Sequence, residues 1–169
     1  MKKRLALTLA LTTLALTMTA QNITGLWRTD IDNGNYKFLN IKGDGTCMIT
    51  DMYGAHEDVG DYYVSYMIRS DYPARWRRSG DRVTFTVNWS KVTWRFVDFD
   101  TDAEGQAAVS IKNKFKSMMD KGIAQQRRKG SSTEHWEIDN IEPDYSLAVW
   151  LNGAYVYFVR ASGYDDLNM

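Results

Sequence analysis

From residue 23 to residue 99, apolar and polar side chains alternate in short runs. Period-2 alternation marks antiparallel strands with one buried and one wet face. The runs "YKFLNI" (36–41) and "TCMITDMY" (46–53) flank Gly43-Asp44-Gly45, a hairpin turn in which glycine supplies the positive φ. In "DYYVSYMI" (61–68), Tyr62, Val64, Tyr66 and Ile68 share one face. "ARWRR" and "RVTFTV" flank Ser79-Gly80-Asp81, and Val83, Phe85 and Val87 oppose Thr84 and Thr86. "KVTWRFV" (91–97) sets Val92, Trp94 and Phe96 against Lys91, Thr93 and Arg95.

The period then changes. Ala107, Ala108, Ile111, Phe115, Met118, Met119 and Ile123 recur at helical spacing, with Lys112, Lys114, Lys116 and Asp120 between them. Thr101-Asp102-Ala103-Glu104 fits a capping box, with Thr101 as N-cap, and Gly130 stands as the C′ residue. The spacing predicts one amphipathic helix over about 102–129, weakened at Gly122, whose stripe covers the open end or the outer wall of the sheet. Strands return in "STEHWEI" (132–138), "SLAVWL" (146–151) and "AYVYFVRA" (154–161), and the last two flank Asn152-Gly153. Asn-Gly between alternating strands is a strong hairpin signal. Eight to ten such strands imply a mainly β fold. The expected architecture is an antiparallel up-and-down β-barrel with one long helix inserted before the last strands. Closure removes the edges an aromatic-rich sheet would expose; a two-sheet sandwich is the alternative.

The N-terminus follows a different rule. Met1-Lys2-Lys3-Arg4 precedes Leu5 to Ala20, a run without charge. A charged start before an apolar stretch of about 16 residues reads as a secretory signal peptide. The run is short and Thr-rich for a membrane span, which needs about 20 mostly apolar residues. Cleavage after Ala20 leaves 21–169 as a single secreted or periplasmic domain. No cysteine lies near the cut, so no lipoprotein is expected.

Loss of residues 1–20 leaves 18 cations against 21 anions, a net charge of about −3. That disfavours nucleic acid, whose phosphates demand a basic excess; Arg127-Arg128-Lys129 reads as a helix C-terminus. Cys47, the single cysteine, has no disulfide partner and reads as a small core residue.

Candidate chemistry is sparse. His56-Glu57-Asp58 reads as a solvated turn, and His135 lies on the polar face of its strand with Thr133 and Glu137. No metal-ligand spacing, nucleophile motif or phosphate loop occurs. Neither enzyme activity nor a cofactor is expected. The aromatics stand out instead: 6 Trp, 10 Tyr and 6 Phe, all after the signal. An eight-stranded barrel is either filled by side chains or left with one small cavity. Tyr66, Trp94, Trp136 and Tyr157 would line a ligand pocket or close it. Trp76, between cations in "ARWRRSGD", suits either a glycan or a cross-strand Arg contact.

Gly25-Leu26-Trp27 on the first strand, the Gly43-Asp44-Gly45 hairpin and Arg160 on the last strand together resemble the lipocalins and the wider calycin group. The resemblance implies that Trp27 plugs the closed end of a barrel and that Arg160 covers it. It further implies a small hydrophobic ligand in the lumen. In that family the long helix follows the eighth strand, whereas here at least two strands follow it. The reading is therefore a secreted lipocalin-like binding protein. The alternative is a non-enzymatic cell-envelope interaction module with a filled barrel. Intact-mass measurement of the exported protein is expected to give a chain beginning at Gln21; retention of residues 1–20 would contradict the cleavage.

Overall fold

A computed structural model describes residues 22–32 and 34–164 of the 169-residue chain. The signal-peptide expectation for residues 1–20 lies outside the described residues. Nine strands are present among those described: β1 (Gly25–Asp32), β2 (Asn35–Ile41), β3 (Thr46–Val59), β4 (Tyr62–Ser79), β5 (Arg82–Asn88), β6 (Thr93–Thr101), β7 (Ser131–Glu142), β8 (Ser146–Leu151) and β9 (Ala154–Arg160). One helix, α1 (Gly105–Arg127), stands between β6 and β7. Every strand pairing is antiparallel.

The order β3-β2-β1-β9-β8-β7-β5-β4, with β4 pairing back onto β3, closes an eight-stranded barrel. The ring excludes β6, and the sandwich alternative falls with it. All three expected glycine hairpins form; Asn152 and Gly153 both take positive φ, 51° and 81°, as a tight two-residue turn requires.

Strand lengths exceed the sequence expectation. β3 has 14 residues and β4 has 18, where the alternation had marked shorter segments. His56, Glu57 and Asp58 are consequently ladder residues of β3, paired with Ser65, Val64 and Tyr63, and not a turn. The distal half of this hairpin passes beyond the barrel rim, and β6 pairs with it from Val64↔Thr101 to Asp71↔Thr93. β5 takes the same edge of β4 only from Ala74 onward. Of the two residues between, Tyr72 and Pro73, the second has no N–H. The Trp76 amide donates to Gly45 O at 2.9 Å, so even-numbered β4 positions here bond β3 and odd-numbered ones face the other edge. The donor missing from Pro73 therefore falls where one partner strand has left and the next begins.

Helix α1 covers both the extension and the barrel top. Ile111 and Phe115 pack with Val64, Ala103 and Phe99 in a second small core, and Ile123 joins the main core. The capping box is corrected: Thr101 ends β6, its hydroxyl accepts from the Ala103 amide at 3.2 Å, and Glu104 is the N-cap residue without a side-chain bond. Gly122 does not interrupt the helix. At the opposite end, Trp27 is fully buried and its indole N–H donates to Ile23 O at 2.8 Å. The Arg160 guanidinium carbon lies 4.7 Å from the Trp27 ring centre, and Nη1 donates to Thr24 O at 2.7 Å. This cation–π contact adds about 0.5–2 kcal/mol to the burial of the indole.

Gly25 permits that contact. Its φ of 132° belongs to glycine, and a Cβ there would lie 2.0 Å from Arg160 Nη1. Gly25→Ala is expected to lower unfolding stability by about 1–3 kcal/mol in urea titration, through backbone strain and displacement of Arg160. An unchanged midpoint would show that the clamp carries no weight.

Candidate functional site

The lumen is filled below and open above. Phe85 and Trp136 meet at 4.7 Å, Trp136 stacks on Phe158 at 5.7 Å, and Trp27 closes the floor. Above Trp136 the packing stops. A cavity of about 380 Å³ remains at the mouth, bounded by Lys37, Asp51, Tyr72, Glu134, Trp136 and the α1 residue Gln126. A second groove of about 540 Å³ continues under α1 and shares Asp51, Tyr72 and Gln126 with it. Tyr72, Asp51 and Gln126 thus form the divide between an inner and an outer compartment.

Strand alternation brings charges to this mouth. Lys37 shares the inward face of β2 with Leu39 and Ile41, and Asp51 shares that of β3 with Cys47 and Ile49. They are register partners, and Lys37 Nζ lies 2.6 Å from Asp51 Oδ1. Both side chains are about one-third exposed, at 29% and 33%. The short contact fixes both side chains at the rim, where they can orient a ligand. Glu134 accepts from the Trp136 indole N–H at 3.3 Å. Tyr72 is buried against Trp89, edge-on at 5.4 Å, and burial together with the Asp51 charge pushes its phenol up to about 12. Trp89 is itself held by a 2.7 Å bond to Ser132 Oγ, with Lys129 above its ring.

Gln126 contributes the roof. Its Oε1 is buried and has no hydrogen-bond partner among the described residues. An unpaired buried carbonyl costs about 1–3 kcal/mol, so the position favours a donor from a bound molecule or water. The helix end that carries Gln126 is anchored by Arg127, whose Nε and Nη2 donate to Val92 O at 3.0 and 2.7 Å.

No family model, known protein or solved structure matches the chain. The site therefore rests on its own geometry.

The four aromatic ligand candidates do not converge. Trp136 lines the mouth cavity. Tyr66 lies beyond the barrel rim, where it lines the outer groove, packs on Phe115 at 5.1 Å and donates to Glu57 at 3.1 Å. Trp94 belongs to β6, outside the ring, and its indole donates to Asp120 of α1 at 2.9 Å. Tyr157 points outward and is 53% exposed. Its parity explains this: if Arg160 and Phe158 face inward, Tyr157 cannot. Arg160 and Trp27, expected as a pair, are a pair. His135 sits on the outer face with Nδ1 3.2 Å from Thr84 Oγ1. Among the described residues no three His, Cys, Asp or Glu side chains gather to hold a metal. Cys47 is buried, and burial pushes its thiol up to about 12.

Sequence reading missed Lys37, Asp51, Gln126 and Glu134. A signal existed for three of them. Each is a charged residue in phase with the apolar positions of its strand, and such a residue ends up inside.

Tyr66, Tyr72 and Cys47 all ionise at about 12 in the fold, above their ordinary values of 10.0 and 9.0. The neutral forms are favoured by folding, so the stability they contribute is complete at neutral pH and is lost as pH rises through 12. The urea midpoint is expected to hold steady to about pH 9 and to fall between pH 9 and 12. Tyr72→Phe is expected to remove part of that fall; an identical profile would place the loss elsewhere.

Proposed function

We propose that the protein is a secreted lipocalin-like binding protein that holds one small amphipathic molecule at the mouth of its barrel, beneath α1. The observation that carries this reading is the cavity above Trp136, within the size range of small-molecule sites. Its base is aromatic, and its rim carries the Lys37–Asp51 pair, Glu134 and the unpaired Gln126 carbonyl. A wholly hydrophobic ligand would leave those groups desolvated without partners, which is unfavourable. A molecule with an apolar body and hydrogen-bonding groups satisfies both parts. The G-x-W strand with its terminal Arg and the closed eight-stranded ring support the lipocalin-like reading, and the charged start before the Leu5–Ala20 run supports export. No side chain in the site is arranged as a nucleophile with a base, so binding without turnover is the reading adopted.

The second reading, a cell-envelope interaction module, has support on the opposite surface. Trp150 and Tyr155 meet at 5.0 Å on the outer wall of β8–β9, and with Tyr157 and Val159 they form an exposed apolar strip. Surfaces of this kind serve protein contacts.

Native mass spectrometry of the protein purified from its own host separates the two. A small-molecule adduct is expected on the wild-type chain. Leu151 lines the cavity at half-burial, so Leu151→Trp is expected to fill the space and abolish the adduct without lowering the melting temperature. A bare chain in every preparation, or an adduct that survives the substitution, would exclude the mouth as the site.

A further inference from the structure

The handover of β4 from β6 to β5 leaves a notch in the barrel's outer wall. β6 stops at Asp71 and β5 starts at Ala74. The far wall of the notch is formed by Ser90-Lys91 and Gly130-Ser131, joined by a bond from the Ser90 amide to Gly130 O at 3.3 Å. The resulting groove has a volume of about 690 Å³. Register fixes what faces it. Thr46, Arg75 and Thr86 form one outward cross-strand row, and Met48 and Pro73 form the next.

The charges in this groove are all of one sign. Lys42, Arg75 and Lys91 line it, and no acidic residue does so among those described. None of the three forms a salt bridge among the described residues. The nearest acid along the chain, Asp44, is turned into its own hairpin, where it accepts from the Thr46 amide at 2.9 Å and hydroxyl at 2.6 Å. The hairpin is held over the groove by the Trp76 indole, which donates to Lys42 O at 2.8 Å. On a mature chain with net charge of about −3, three cations around an apolar floor, of which only Lys42 has a carboxylate (Asp44) acting on it, are a local inversion of the surface charge. Bare inorganic anions would not use Met48 and Pro73, and neutral apolar molecules would not use the cations.

We propose that this groove is a second binding site, for a free amphiphile with one anionic headgroup on a short apolar body, of the medium-chain carboxylate class. The apolar body lies on Met48 and Pro73, and the carboxylate is met by Arg75 with Lys42 and Lys91. The groove shares only Val87 with the lining of the mouth cavity and draws its cations from other residues, so the two readings stand or fall independently.

Decanoate is a suitable probe, with decanol as the neutral control, titrated into protein labelled at its methionine methyl groups. Decanoate is expected to shift the Met48 resonance saturably, to weaken as salt is raised, and to bind the Leu151→Trp variant as well as wild type. Arg75→Glu combined with Lys91→Glu alters only exposed side chains, and folding is checked by near-ultraviolet dichroism. That pair is expected to reduce decanoate affinity about ten-fold or more. Equal binding of decanol and decanoate would overturn the proposal. So would unchanged affinity in the double variant, or methyl shifts confined to Met52 and Met119 of the groove under α1.

Discussion

Closure of the ring between the first and last barrel strands is the constraint on which this molecule depends. β1 and β9 share only two register pairs, Trp27↔Arg160 and Arg28↔Val159. This short seam is extended by one further backbone bond, from the Ala161 amide to Leu26 O at 2.9 Å. The Arg160 guanidinium spans it, against the Trp27 ring on one side and Thr24 O on the other. Gly25 is the residue whose missing side chain makes room. With that end plugged, the filled lower lumen and the open mouth are both consequences of one closed end.

The mouth has its character because the barrel outlives its core. Trp27, Phe85, Trp136 and Phe158 use up the lumen in its lower half. Further along the strands the inward positions continue, and they carry Lys37, Asp51 and Glu134. Buried charges at such positions would be costly alone. The cross-strand pairing of Lys37 with Asp51 and their partial exposure remove much of that cost. Helix α1 then roofs the opening with a polar residue, Gln126, while its apolar residues are spent on the extension and on the barrel top.

The over-long β3–β4 hairpin accounts for the rest. It carries β6 and α1 away from the ring, so the helix is inserted between barrel strands and not appended after them. It also forces β4 to change partners at Pro73, which opens the groove on the outer wall. The roof over the mouth and the notch in the wall thus share one origin in the length of two strands.

Much of this was legible in residue order. The alternation, the glycine turns and the helical period from Ala107 to Ile123 specify an antiparallel, mainly β fold with one inserted helix, and the Gly25–Trp27 strand favours a barrel over a sandwich. They do so because strand and helix periods are local properties and because positive-φ turns need particular residues. The site was legible only in part. Lys37, Asp51 and Glu134 could be seen as charges on apolar faces, but not as neighbours, since their meeting depends on register between strands. Tyr66, Trp94 and Tyr157 share a residue type with Trp136 but not its surroundings: one lies past the rim, one is on a strand outside the ring, and one is on the outward parity. The chain by itself determined which elements form and which faces they bury. Only the tertiary structure decided where the barrel ends along each strand, which strand is left out of the ring, and hence which side chains share a cavity. Those outcomes depend on long-range pairing, and a local pattern carries no information about it.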